Sequence, residues 1–526
     1  MKHILLVAFP VAFFVLSGCS NTNKPLDTIK YETRDAVKYE PLSSPYELAV
    51  MYYRDDDISQ GYSDTVALFH RRVEQGLTET QAENYIGVMH ENGQDIPLSD
   101  IEAAQWYRKA AEQGNVYGQL LLGYMYKYGK GVSQSNTEAI MWFHEAAEQG
   151  NSEAQYELAR IYFSGPDDFK NGSEAVIWYR KSADQGDVRA QTMLSVMYLE
   201  GLFVVQNDSE SINWLRKAAN QNEAYAQALL GSIYYQGLGT TIAQNYNEAA
   251  LWLGKAAAHN YAGAQYYLGL MYLNGQGVPQ ENAEAINLLH SSAKQGYAKA
   301  QYQIGAMYYH GKGVTKSYSK AVNWLSKAAK QGNAEAQLVL ALMYDIGKDQ
   351  PKNYPEAEKL YLQSAEQGLA VAQYYLGSMY RFGRGCSIDY KKAVRWFQKA
   401  AEQGHPKAQN NLADLYYNGL GVSLSYKKAA YWFRKAAEQG VESAQSNLGL
   451  IYEYGLGIPQ SYSEAVNLYR KSAAQGFAEG QYNLGIMYLT GRGLPQNNAE
   501  AIKLFRKAAA QGYTAALDKL KVAGAI

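Results

Sequence analysis

Cysteine is almost absent from this sequence. Two residues, Cys19 and Cys386, serve a chain of 526, too few for a disulfide scaffold. Long apolar runs are equally scarce. The only one, Ile4 to Leu16, is too short to cross a bilayer as a helix, which takes about 20 apolar residues. Neither sign of charge is in excess, with Lys plus Arg at 49 and Asp plus Glu at 50. A near-neutral chain has little long-range attraction for nucleic acid, and none is expected as a partner. The eight histidines are scattered singly, and no pair has the H-x-x-x-H spacing of a metal site. No metal and no cofactor are expected.

What is present begins at the amino terminus. Met1-Lys2-His3 is a short positive start, and the apolar run after it fits the h-region of a secretory signal peptide. Leu16-Ser17-Gly18-Cys19 then resembles the bacterial lipobox. The resemblance implies that residues 1–18 are removed and that Cys19 carries lipid. Two or more acyl chains anchor a protein stably. Ser20, not aspartate, follows the cysteine, which by the same resemblance favours the outer membrane, on its periplasmic or surface side. Residues 19–44 are polar, with Pro25 and Pro41 among them and Pro45 just beyond, and read as a tether. With Cys19 lipidated, Cys386 has no partner and stability must come from packing.

The rest is one unit written repeatedly. Glu-Gln-Gly and its variants place glycines at Gly76, Gly114, Gly150 and Gly186, then from Gly296 to Gly512, mostly 36 residues apart. Asn222 and Asn260 fill the two missing positions. Asparagine is the usual substitute for glycine in the left-handed conformation after a helix end. Each unit reads as two helices. In 369–404 the first carries Ala372, Leu376, Met379 and Tyr380, and the second Ala393, Trp396, Phe397 and Ala400, both at helical spacing. Ser173, Asn282, Ser319 and Ser463 are the expected starts of second helices, with Pro355 at the first helical position of its own. Basic pairs such as Arg434-Lys435 are expected to complement the negative helix end. All eight tryptophans share one slot, where Leu288, Leu360, Leu468 and Leu504 stand in other units. That exchange argues for packing, and Trp324 is expected in the core.

This pattern resembles the Sel1-like repeat family, relatives of tetratricopeptide repeats. Unit 297–332 carries Ala300, Ile304, Gly305, Tyr308, Gly311, Gly313, Val314, Ala321, Trp324, Lys327, Ala328, Ala329 and Gly332 at the motif positions. The resemblance implies an all-α fold, an α-solenoid superhelix of 12–13 stacked helix–turn–helix repeats over residues 45–512. Leu48, Met51 and Tyr52 mark a degenerate first unit, and residues 513–526 supply a capping helix. Loops at 165, 201 and 347 lack the second glycine and are expected to join their helices differently.

Chemistry is hard to find. Gly129-Lys130-Gly131 and Gly311-Lys312-Gly313 look like phosphate loops, but they join helix to helix and recur, whereas a phosphate loop appears once. Cys386 fills a slot that is valine or isoleucine elsewhere and is expected to be an inert small hydrophobe. No catalytic residue is expected. Variable positions of the first helix carry Tyr266, Tyr267, Tyr302, Tyr374, Tyr375 and Tyr482, on the face that lines the concave surface in this family. Two readings of them stand: contacts for a ligand, or packing between neighbouring units. The expected function is a non-enzymatic scaffold in the envelope that binds proteins, envelope polysaccharide or peptidoglycan. Family resemblance extends this to envelope assembly, secretion or host contact. The alternative is a hydrolase acting on β-lactam or peptidoglycan, as described for cysteine-rich relatives, although this chain lacks their cysteines.

Overall fold

The computed structural model describes residues 78–92, 99–238, 242–347 and 351–523. Cys19, the tether and the degenerate unit lie outside these residues. Among the described residues there are 25 α-helices and no named β-strand. Nearly all are thirteen residues long and alternate as the first and second helices of hairpins. The chain divides into two compact units, residues 1–264 with 276–278, and residues 265–275 with 279–526. Within each unit successive helices pack on one another, as Val116–Tyr128 does on both its neighbours in the first and Ala370–Phe382 in the second, the architecture of an α-solenoid.

Hairpin 369–404 shows why the sequence folds this way. The first helix is Ala370–Phe382 and the second Tyr390–Glu402. Gly383 and Gly385 between them have φ of 65° and 73°, and Gly404 after them 90°, a region that side chains disfavour. Asn222 and Asn260 take φ of 63° and 60° at the same anchor, as their substitution for glycine predicts. Two of the three unusual loops differ among the described residues. At 165 a short 3-10 turn, Asp167–Phe169, intervenes. At 201 Phe203 adopts φ 58° where other loops place a glycine. The 347 loop keeps its first left-handed glycine, φ 74°.

Second helices start slightly earlier than the sequence suggests. The caps are Asn171, Ser317 and Ser461, each accepting a backbone N–H. Ser173, Ser319 and Ser463 lie inside the first turn, and Asn282 opens its helix after Glu281. Pro355 sits one residue into its helix, which begins at Tyr354. The reason is a two-residue register: serine or asparagine recurs at both places, and only the earlier one has the extended backbone a cap requires.

The core also shifts by one residue. Trp324 is only half-buried, whereas Leu325 beside it is wholly buried. Leu325 shares its slot with Tyr107, Phe143, Tyr179, Tyr361, Phe397 and Phe433, all at most 1% exposed. A first-helix glycine receives this anchor: a Cβ on Gly377 would come within 2.8 Å of the Phe397 ring. Trp324 and Trp396 lie at the edge, whereas Trp178, Trp214 and Trp252 are buried, and the lysine three residues on covers the ring face in both cases. Lys181 Nζ is 3.8 Å from the Trp178 ring centre and Lys399 Nζ 4.5 Å from that of Trp396.

The arginine beside that lysine has a partner in the next hairpin. Arg108, Arg180, Arg216 and Arg434 donate to the hydroxyls of Tyr126, Tyr198, Tyr234 and Tyr452. The basic pairs are therefore inter-hairpin clamps, a role the helix-end reading missed. Where the preceding helix offers leucine or glutamine instead, as at Leu362 and Gln398, Lys392 and Lys428 cover Tyr380 and Tyr416 from the other side.

Buried glutamines thread the hairpins together. Gln373 donates Nε2 to the carbonyl of Ala365 in the preceding hairpin, 3.0 Å away, and accepts at Oε1 from Gln403 Nε2 at 2.8 Å. The pattern repeats at Gln155 with Gln185 and at Gln445 with Gln475. It explains the glutamine in both Ala-Gln and Glu-Gln-Gly. The ladder fails once in the first unit. Gln227 still donates to Ala219, but an exposed His259 fills the donor slot and the buried Gln227 Oε1 has no partner. We expect His259→Gln to raise stability by about 0.5–1.5 kcal/mol, the net worth of one such bond, read as a higher melting temperature.

Candidate functional site

The variable face of the first helices is the site to assess. In the second unit, Ala298–His310 touches Ala334–Ile346, and Glu442–Tyr454 touches Ala478–Thr490. Glu79–Asn92 and Val116–Tyr128 do the same in the first. First helices thus form the tighter side of each stack.

All six tyrosines singled out in the sequence are half-buried on these helices. Tyr266 meets Tyr267 edge-on at 5.1 Å between ring centres and reaches Tyr297 of the next hairpin at 5.4 Å. Tyr374 stacks on His405 of the next hairpin at 4.7 Å, and Tyr375 lies parallel to the buried Tyr361 at 5.6 Å. Tyr482 packs on Phe505 and on Tyr513 in the residues before the last helix. Burial raises the pKa of Tyr302 and of Tyr482. The structure pairs each tyrosine with its neighbours rather than gathering all six: Tyr482 stands three hairpins beyond Tyr374. Their inner edges join hairpins, and only the remaining edge meets solvent.

More open aromatics occupy a position the sequence reading passed over. Tyr128, Phe382 and Tyr454 end their first helices, exposed by 57%, 59% and 60%. The same slot holds Ser164, Glu200, Gln236, Asn274, Asn418 and Thr490 elsewhere. An aromatic residue standing among polar ones was the available signal.

Several carboxylates on this face are engaged. Asp345 is buried, accepts from Tyr361 Oη at 3.3 Å and pairs with Arg384 Nη1 at 3.0 Å. Burial and that carboxylate hold the Tyr361 phenol well above its usual range. Glu453, Tyr469 and Arg492 repeat the arrangement, as do Glu91, Tyr107 and Lys130. The glycine loops with a central basic residue at 130, 384 and 492 therefore clamp a neighbouring hairpin. Glu157 sits between Lys127 Nζ at 2.6 Å and Arg160 Nη2 at 3.0 Å. Burial alone would raise its pKa, but the two cations outweigh it and hold it below the ordinary glutamate value. Cys386 is half-buried, and burial pushes its thiol pKa up, which weakens it as a nucleophile. Among the described residues, no group of three or more His, Cys, Asp or Glu side chains could hold a metal ion.

A repeated helical hairpin with a variable first-helix face defines a solenoid of the protein-interaction class. Twelve consecutive matches to the Sel1 repeat run from 80–115 to 478–513. The chain belongs to the Sel1 repeat family, whose members generally serve as scaffolds for binding other proteins. It is similar to a protective antigen of uropathogenic Escherichia coli strains that displays an SLR fold, with 33% identity and a TM-score of 0.68 over 86% of this chain and 97% of that one. A Sel1 repeat protein from Oxalobacter formigenes is 32% identical over 59% of this chain and 89% of its own, with a TM-score of 0.44. No curated protein matches the chain.

Proposed function

We propose that this protein is a scaffold of the bacterial cell envelope, tethered through lipid on Cys19, that binds a partner on the first-helix face of its repeats. The observation that carries the reading is the exposure of Tyr128, Phe382 and Tyr454 where most other hairpins are polar and Ile346 alone is aliphatic. Exposed aromatics give contact area at little entropic cost and dominate many interfaces. The lipobox-like Leu16-Ser17-Gly18-Cys19 supports the envelope position. So does the description of the similar Escherichia coli protein as a protective antigen. Tyr267 and Tyr375 extend the same face. The partner is another protein or an envelope polymer, polysaccharide or peptidoglycan, and envelope assembly, secretion or host contact are the processes this reading serves.

The test is crosslinking in intact cells followed by mass spectrometry. We expect Tyr454→Ser to weaken partner capture by about 1–2 kcal/mol, roughly ten-fold, with an unchanged melt. Cys19→Ala should abolish palmitate labelling and release the chain from membranes. Unchanged capture by Tyr454→Ser and Tyr128→Ser together refutes the face. Retained labelling in Cys19→Ala refutes the anchor.

A further inference from the structure

Two neighbouring hairpins combine two departures from most others at one place, the junction leading into the second helix. The junctions read Ser387-Ile388-Asp389-Tyr390-Lys391-Lys392 and Ser423-Leu424-Ser425-Tyr426-Lys427-Lys428. Ile388 and Leu424 occupy a slot that is glutamine or lysine in most other hairpins, such as Gln134, Gln206, Lys316, Gln460 and Gln496, with Leu98 the other aliphatic residue there. The glutamines there are structural. Gln206, Gln460 and Gln496 donate Nε2 to backbone carbonyls at 2.7–2.9 Å. Ile388 and Leu424 forgo that bond and instead expose 56% and 55% of their surface.

Beside each exposed aliphatic side chain stands an exposed lysine pair, Lys391-Lys392 and Lys427-Lys428. Most other hairpins have glutamate at the second of these positions, as in Ser173-Glu174 or Ser463-Glu464, and none has lysine at the first. Lys392 lies over Tyr380 and Lys428 over Tyr416. Lys392 has one weak carboxylate contact, 3.9 Å to Asp389. Both junctions belong to the second unit, one repeat apart on the same loop edge.

We propose that this edge docks on an anionic lipid bilayer. Separate aliphatic tips, each with its own lysine pair, suit a continuous headgroup layer. The tips enter the acyl boundary independently, and the lysines meet lipid phosphates. An acidic protein segment would have to bridge two loops to use the same groups. Docking here does not depend on the partner face or on the lipid at Cys19.

The test uses the full-length chain carrying Cys19→Ser and Cys386→Val, so that one introduced cysteine takes an environment-sensitive fluorophore. Labelled at Ile388→Cys, the chain should show a blue shift with vesicles of phosphatidylethanolamine and phosphatidylglycerol. It should show none with phosphatidylcholine alone. The same label at Gln496→Cys, in the equivalent slot, should stay silent. Changing Lys391, Lys392, Lys427 and Lys428 to Gln should weaken the response by about ten-fold or more, because each cation contributes to attraction at an anionic surface. Four outcomes overturn the proposal: no shift at Ile388→Cys, an equal shift at Gln496→Cys, an equal response to neutral vesicles, or a four-lysine variant that responds like the parent. A silent probe at Ile388→Cys that shifts on adding a purified acidic partner would assign the edge to protein instead.

Discussion

Phe397→Ala should destabilise the protein by about 3–5 kcal/mol, the range for truncating a large buried aromatic side chain. Phe397 is wholly buried and its ring fills the space above Gly377. Alanine would leave a cavity that the glycine cannot close. Trp396→Ala, one residue earlier, should cost distinctly less, because its ring is half-exposed and capped by Lys399. Since each hairpin touches mainly its neighbours, the loss should appear as local opening around 369–440. Hydrogen exchange of the two variants measures it. Equal protection losses would show that the tryptophan carries the core as much as its neighbour does.

Gln373→Leu should cost about 1–3 kcal/mol, the penalty for leaving a buried polar group unpaired. The group is the Ala365 carbonyl in the preceding hairpin, buried and served by Gln373 Nε2. Gln403→Leu removes the outer bond of the same rung. Gln403 is exposed, whereas Gln373 is buried. The Gln403 variant should therefore lose less. Denaturant melts of the two separate the contributions, and an undiminished midpoint in Gln373→Leu would refute a stabilising ladder.

The repeat, its hairpin and its left-handed stops could be read from residues, because they follow from periodicity and from one conformational preference. Asn222 and Asn260 show how far this goes: two apparent exceptions identify the helix stop as clearly as the glycines do. The partners of the repeated residues could not be read. Arg180 and Tyr198 lie in different hairpins, and Gln373 and Ala365 straddle an anchor; only packing brings them together. The choice of Phe397 over Trp396 was hidden for a different reason. Both recur at helical spacing, and a turn of 100° between neighbours decides which one faces inward. For the site, the tyrosine positions were legible but not their second edges, which pack on the next hairpin. Tyr128, Phe382 and Tyr454 were legible too, by comparing one slot across units.

The glutamine ladder bears on how such a gene changes length. A rung takes its acceptor from the hairpin before it and offers the equivalent acceptor to the hairpin after it, as Gln373 and Gln409 do. Excising residues 405–440 would join Gly404 to Val441, and Gln445 would meet the Ala401 carbonyl in place of that of Ala437, its present acceptor. The seam would be chemically indistinguishable from any other. Recombination between copies one period apart therefore yields shorter or longer proteins that still satisfy their buried amides, whereas a break out of phase strands them. The length of this chain is thus open to inheritance in whole repeats, and His259 shows that a single rung can lapse without ending the array.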